Sequence, residues 1–483
     1  MPVDHPCAPA LARRSAHPPV IRPRRLIGLG CVAALLASSC ATAPSTPVQP
    51  QGTGAAFRAR SLDDPGLAAL AAHAGFPAWP PERLDGHALS LVALENGQAV
   101  QLARAKWRVA QAAVLTAGQR PNPTLSLNPV YATATAPGAI PWLLAATLVQ
   151  LMETGGKRPL RVEAARYRAE AARLDLLSTG RQATQTVDSL LLDLSAAQAR
   201  LAALDAQVTA YAGLVEAAEK KLRVGEDSSV ALMAARATLR RTQLDAQATA
   251  AMQADTLHQL AIAIGLPAER LLMSRLALPR LDAGLSPGFI TRARDAAPLN
   301  RADLLARLAD YAAADADLRL QLAGRTPNIE AGPSFEYDQG EKKWGVTLAA
   351  SLPVFNANGG PIAEARAVRT QAERQFTTAQ AAVIGEVDRA AEAYAQAVRS
   401  LGVAERLYAE QERRARAVET MFARGEIDRV ELLTARAELA AQVTGGADAR
   451  GAVAKAALAL QAAAHLRPDG FDPVPLILSE GER

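Results

Sequence analysis

The chain has 483 residues, of which 49% are apolar but only 4% aromatic, and it carries a net charge of +5. Most of that charge sits in the first 39 residues, where Arg13, Arg14, Arg22, Arg24 and Arg25 face only Asp4. The remainder is nearly neutral, which gives no electrostatic footprint for nucleic acid. Ala, Leu, Glu, Arg and Gln dominate long stretches, a composition that favours long, closely packed helices.

The N-terminus has the pattern of a leader. Arg22, Arg24 and Arg25 precede an apolar run at 26–37, and Ala37, Ser38 and Ser39 lead to Cys40. A basic patch, a short apolar run and small residues before a cut describe a signal peptide at 1–39, and the run is too short to span a bilayer as a helix. Cys7 and Cys31 leave with the leader, so Cys40 has no partner for a disulfide. Its setting resembles a bacterial lipoprotein box, which implies lipidation at Cys40; cleavage after Ala43 is the alternative. Residues 40–87 are expected to form a polar, Pro-rich linker.

Beyond the linker the sequence is duplicated, with units at 88–267 and 293–467 joined by a linker at 268–292. Asn122-Pro123-Thr124-Leu125 matches Thr326-Pro327-Asn328-Ile329, Leu148 matches Leu352, and Gly155-Gly156 matches Gly359-Gly360, all at one offset. Further on the offset shortens by four: Val187-Asp188 matches Val387-Asp388, and Gly225-Glu226 matches Gly425-Glu426. One four-residue gap just after the glycine pairs accounts for both sets.

Each unit opens with a predicted helix, 89–118 and 299–323. Two strands follow in each: 124–131 and 142–151, then 328–337 and 344–355. In the third, Ile329, Ala331, Phe335 and Tyr337 alternate with Glu330, Gly332, Ser334 and Glu336, the period-two pattern of a strand with one apolar face. About ten residues suits a membrane-spanning strand. Tyr131, Trp142, Phe335, Tyr337 and Trp344 gather beside the turns, where a water–lipid boundary favours aromatics. Pro129 and Pro333 lie inside strands, so the pattern calls for a bulge or a later strand start.

After each glycine pair comes a helical run, 156–224 and 360–424, long enough for a rod of about 100 Å. Gly225 and Gly425 suit left-handed C-caps, and Ser228, Ser229 and Asp428 suit caps of returning helices. Gly445, Gly446 and Gly451 fall inside the second returning segment and weaken it. The tail 468–483, with Pro468, Pro473 and Pro475, is expected to be irregular. Four strands cannot close a barrel alone, and an open edge is untenable in lipid, so several chains are required. The expected fold class is mainly α with a small transmembrane β part: a duplicated unit of long α-hairpins, with four strands per chain completing a 12-stranded β-barrel and a helical barrel as a trimer.

This order of elements resembles the TolC family of outer-membrane efflux proteins over residues 88–467. Met421-Phe422-Ala423-Arg424-Gly425-Glu426-Ile427-Asp428 resembles the family's tip motif. Leu352-Pro353-Val354-Phe355-Asn356-Ala357-Asn358-Gly359-Gly360 and Glu153-Thr154-Gly155-Gly156 resemble the strand–helix junctions of the cation-efflux, CzcC-type branch. The resemblance implies a homotrimer in outer-membrane lipid. It also implies an inner-membrane pump of the resistance-nodulation-division type and a periplasmic adaptor docking at the tip turns, here Gly225, Glu226, Gly425, Glu426 and Asp428. The implied task is export of heavy-metal cations; hydrophobic drugs or solvents and polypeptide secretion share the fold, and a periplasmic coiled-coil scaffold is the alternative of another class.

The residues suggest no enzyme, cofactor or metal site. His73, His87, His258 and His465 lie far apart in sequence, and no phosphate loop or Gly-x-Ser-x-Gly elbow occurs. Asp315 and Asp317, two apart on a helix, are read as solvated.

Overall fold

The computed structural model describes residues 45–133, 138, 140–226, 228–282, 284–338, 340–467 and 470–479. Cys40 and the expected leader at 1–39 lie outside the described residues. The chain divides into two units, 1–56 and 57–483. The described part of the first opens helix α1 (Pro50–Ala59).

The second unit carries the duplication. Helices α2 (Pro65–His73), α3 (Gly86–Asn96) and α4 (Gln98–Gly118) precede strands β1 (Thr124–Tyr131) and β2 (Trp142–Met152), then α5 (Lys157–Arg223) and α6 (Ser229–Ala263). The second repeat gives α7 (Phe289–Asn300), α8 (Ala302–Ala323), β3 (Ile329–Asp338), β4 (Glu341–Ala350), α9 (Gly359–Ala423) and α10 (Arg429–Ala464), with a final turn of helix, α11 (Leu476–Ser479). The rods α5 and α9 are 67 and 65 residues long, about 100 Å at the α-helical rise.

The single opening helix expected in each repeat is two helices. Gly97 is extended and its N–H bonds Ala93 O at 2.9 Å; a Cβ there would lie 2.2 Å from that oxygen. In the second repeat Arg301 breaks the helix with an extended backbone. The helix α10, doubtful for its glycines, is continuous, and Gly451 lets it approach Ala196 of α5.

The helices pack in rows of four. On the side away from the sheet the order is α6–α5–α10–α9, and towards the sheet it is α4–α5–α8–α9. The strands form one antiparallel sheet in the order β1–β2–β3–β4. Among the described residues every layer therefore ends in two unpartnered flanks. Apolar side chains stay exposed there: Leu102, Val109 and Leu115 on α4, Val230, Met233 and Leu244 on α6, Val368, Ile384, Val398 and Val403 on α9.

The core lies where the rows meet. One cluster joins Leu67, Leu89, Val92, Val187, Leu191 and Leu260. Its counterpart joins Phe289, Ala293, Val383, Val387 and Leu460. Val187 and Val387, and Leu260 and Leu460, occupy matching places, so the repeat read from sequence is a repeat of packing. A fully buried Leu or Val contributes roughly 1.5–3 kcal/mol. The tail is not irregular throughout. Val474 and Ile477 are buried with Leu94, Trp107 and Leu176, Phe471 stacks on His87 at 4.0 Å, and Asp472 meets Arg181 at 2.5 Å.

Candidate channel wall and tip

The register divides the sheet into two faces. Rungs Leu125↔Leu148, Leu127↔Ala146, Leu144↔Tyr337, Ala146↔Phe335, Ala331↔Leu348 and Pro333↔Val346 all share one face. Apart from Gln150 and Lys342, that face is apolar, and it is largely exposed: Val346 at 82%, Trp344 at 77%. The opposite face carries Ser126, Asn128, Thr147, Ser334 and Thr347, together with Glu330, Glu336, Asp338, Glu341 and Lys343, and on β1 and β2 also Val130, Leu143, Val149 and Leu151. Lys343 lies 3.0 Å from Asp338 and 3.6 Å from Glu336, so acids outnumber the single base there.

The aromatic residues are cross-strand partners near the turn end of the sheet. Tyr131 faces Trp142 with ring centroids 5.0 Å apart, and Phe335 faces Trp344 at 4.8 Å. Tyr337 sits opposite Lys342. All five expected aromatics belong to the apolar face.

The prolines are accommodated without a register slip. Pro129 lies on the edge strand β1, paired with Leu144. At Pro333 the β2–β3 ladder is interrupted between Thr147↔Ser334 and Gln150↔Ala331, and the register is the same on both sides. Gly332 lies so near Leu148 that a Cβ would fall 1.8 Å from its carbonyl oxygen.

The rungs also correct the single four-residue gap. Trp142 and Trp344 are equivalent, as are Gly156 and Asn358, each at an N-cap with left-handed backbone. Half of the length difference thus arises in the hairpin turns and half along the rods. Gly155 and Gly156 have φ 67 and 71, whereas Gly359 and Gly360 are the first helical residues of α9 and Asn358 makes the turn. Likewise β4 ends at Ala350, short of the expected 355, because β3 starts at Ile329 and offers no further rung.

The first junction is tied down. Thr154 Oγ1 donates to Pro327 O at 2.5 Å, Lys157 Nζ to Thr326 O at 2.6 Å, and Arg161 pairs with Glu153 at 2.6 Å. The hydrogen bond from Arg161, with the nearby cations, holds the Glu153 carboxyl below its usual range.

At the other end both hairpins turn alike. Gly225 and Gly425 each have φ 77, and Glu226 N–H and Glu426 N–H bond back to Lys221 O and Met421 O, each at 3.0 Å, closing the last helical turn. Ser228 Oγ caps α6 through Ala231 N–H at 3.2 Å, and Asp428 Oδ1 caps α10 through Glu431 N–H at 2.9 Å. Arg236–Glu219 at 2.7 Å and Arg436–Glu419 at 2.9 Å zip the two hairpins at matching positions. Asp428 also receives Lys221 from the first hairpin. Lys221 first, then the cap amide, holds that carboxyl below its usual range. Glu426 is 3.8 Å from Arg424, and Glu226 is exposed.

Between sheet and tip lies a charged knot that the sequence did not disclose. Arg301 is buried and grips Asp303, Glu386 at 2.7 Å and Ala463 O at 2.8 Å. His465, beside it with φ 52, has its pKa pushed down to about 4, by burial first and then by Arg301. Asp315 and Asp317 are paired rather than solvated: Asp315 with Arg319 and Arg369, Asp317 with Arg168. Among the described residues no group of three or more His, Cys, Asp or Glu could hold a metal, and no helix is long and apolar enough to cross a membrane.

Solved structures share this architecture. The outer membrane protein VceC of Vibrio cholerae aligns with a TM-score of 0.65 at 18% identity, covering 80% of this chain and 96% of that one. The CmeC outer membrane channel of Campylobacter jejuni aligns at 0.64 and 15% identity, covering 98% of each chain. The MtrE outer membrane channel of Neisseria gonorrhoeae, in its open state, aligns at 0.64 and 16%, covering 79% of this chain and 89% of that one. A sequence search of curated proteins found no match. Long α-hairpins carrying a small antiparallel sheet define the class as the outer-membrane channel fold. The family described as outer membrane efflux protein matches residues 89–266 and 293–464, and the chain belongs to that family. It is thus an outer-membrane efflux channel protein, a passive conduit and no enzyme.

Proposed function

We propose that three copies of this chain close into a duct that carries exported cations, heavy-metal ions above all, from a periplasmic adaptor and a resistance-nodulation-division pump to the outside. The observation that carries the trimer is the repeated count of four. Each helical row and the sheet hold four elements with two open flanks, and apolar side chains line the helical flanks. Identical copies satisfy all the flanks at once, and three give a twelve-strand barrel of a size known for membrane barrels. The apolar sheet face then meets lipid and the polar face lines the lumen.

The acid excess on that face supports cations as cargo, in keeping with the CzcC-type branch whose junction motifs the chain resembles. Glu330, Glu336, Asp338 and Glu341 against Lys343 give a negative lumen, and rings of acids favour cations in a narrow conduit. The turns at Gly225, Glu226, Gly425, Glu426 and Asp428 are the proposed adaptor contacts, and Cys40 the proposed lipid anchor.

Deleting the gene and growing cells on zinc, cobalt, cadmium, nickel, copper and a panel of hydrophobic drugs tests the cargo. Sensitivity to metal ions is the expected result; sensitivity confined to drugs rejects it. Replacing Cys40 with Ser should abolish incorporation of radiolabelled palmitate.

A further inference from the structure

The two strand–helix junctions have diverged. The first is pinned by Thr154, Lys157 and Arg161, as described above. The second, residues 351–358, is tied only at its helix end among the described residues, where Asn358 Nδ2 donates to Gln321 O at 2.7 Å. Leu352 is 70% exposed, Val354 72% and Phe355 101%. Leu352 and Val354 prolong the apolar alternation of Val346 and Leu348 beyond the last rung of β4. Beside them Arg325, Phe355 and Arg366 line a cavity of about 400 Å³. Neither guanidinium takes part in an ion pair among the described residues, whereas nearby Arg319 and Arg369 both do.

We infer that this second junction is a phospholipid-binding wedge: Leu352, Val354 and Phe355 enter the acyl region of the periplasmic leaflet, and Arg325 and Arg366 hold an anionic headgroup phosphate. The inference rests on the channel reading, which sets the sheet in the outer membrane with its turns outward and this junction at the inner boundary. Three observations select lipid as occupant. The wedge continues the apolar face assigned to lipid. Two cations outside any ion pair complement a phosphate, and an arginine fork suits phosphate geometry. A second copy is the other candidate, but the segment it would bring alongside, ahead of its own β1, contains Pro121 and Pro123, which have no N–H to pair with a prolonged β4.

The test uses the full-length assembly purified in mild detergent. Native mass spectrometry counts bound lipid after incubation with phosphatidylglycerol or with phosphatidylcholine. Wild type should retain phosphatidylglycerol preferentially. The double variant Arg325→Ala/Arg366→Ala should retain it about 30-fold less, from the roughly fivefold effect of each basic residue at an anionic surface. In parallel, Phe355→Trp in vesicles containing brominated phosphatidylglycerol should gain quenching beyond that of the native tryptophans. Equal retention by wild type and the double variant overturns the inference. So does a Phe355→Trp variant whose new indole stays unquenched and cross-links to a neighbouring subunit. An intact membrane-inserted oligomer in the same samples assigns such a failure to the wedge alone; absence of any inserted oligomer removes the wedge together with the channel reading.

Discussion

Lys221, in the last turn of the first rod, donates to the carboxylate of Asp428, the residue that caps the returning helix of the second hairpin. One side chain thus begins a helix and fastens the two hairpins together at the tip. The equivalent place in the first hairpin is Ser228, which caps but carries no charge.

Asp428→Ala should therefore lose cap and pair together, and Asp428→Asn only the pair. A cap is worth about 1 kcal/mol, and an exposed pair of this kind about 0–1 kcal/mol. Hydrogen exchange at the first amides of α10 should accelerate about fivefold in Asp428→Ala and stay near wild type in Asp428→Asn. Equal acceleration in both would mean that the ion pair, not the cap, holds the turn.

The charged knot predicts a pH dependence. His465 is neutral in the fold down to about pH 4, while its ordinary value is 6.5. Between those values the unfolded chain binds a proton that the folded chain does not, so its contribution is full above pH 6.5 and is lost as pH falls towards 4. Over that interval the loss amounts to about 1.4 kcal/mol for every pH step of one. Asn is uncharged and tolerates the left-handed backbone that His465 adopts. His465→Asn should flatten the fall in melting temperature between pH 6.5 and 5 relative to wild type, a range above most carboxylate titration.

Arg301 is the hub of that knot. Arg301→Met removes the donor shared by Asp303, Glu386 and the Ala463 carbonyl; the guanidinium is buried but the carboxylates are 38% and 42% exposed, so the loss is about 1–3 kcal/mol. Arg301→Lys should recover only part, because one ammonium cannot reproduce the fork that reaches three acceptors. Thermal unfolding of the three proteins gives the order wild type, Lys, Met.

The tail acts as a strap between repeats. Ile477 is fully buried, and Gly180 has no Cβ where Ile477, Leu94 and Val474 each approach to 3.1 Å. Ile477→Ala should destabilise by about 2–5 kcal/mol and speed chymotryptic cleavage after Phe471. Unchanged cleavage would show that the strap does not depend on this contact.

What the sequence disclosed, and what it did not, follows from the range of each interaction. Strands and rods were legible because period-two alternation and unbroken helix-forming runs are local. The caps at Ser228 and Asp428 and the reversals at Gly225 and Gly425 were legible for the same reason. Pairing of β2 with β3 was not, since the rung Met152↔Ile329 joins distant parts of the chain. Nor was the helix break at Arg301, where partners at Glu386 and Ala463 hold the backbone extended. Asp428 read as a cap and a docking charge, but its partner Lys221 lies in the other repeat. The tail looked irregular from its prolines, and it is ordered by distant partners: the apolar pocket around Gly180, the His87 ring and Arg181. Gly359 and Gly360 aligned with Gly155 and Gly156 by residue type, but a two-residue shift in the hairpin moved the left-handed turn to Asn358.

The central claim is that rows of four with open flanks are completed by identical copies. Native mass spectrometry of the protein extracted from outer membranes measures this directly. A complex of three chains, stable until heated, is the predicted result; a folded single chain in the membrane, with its flanks covered by something else, would contradict the account.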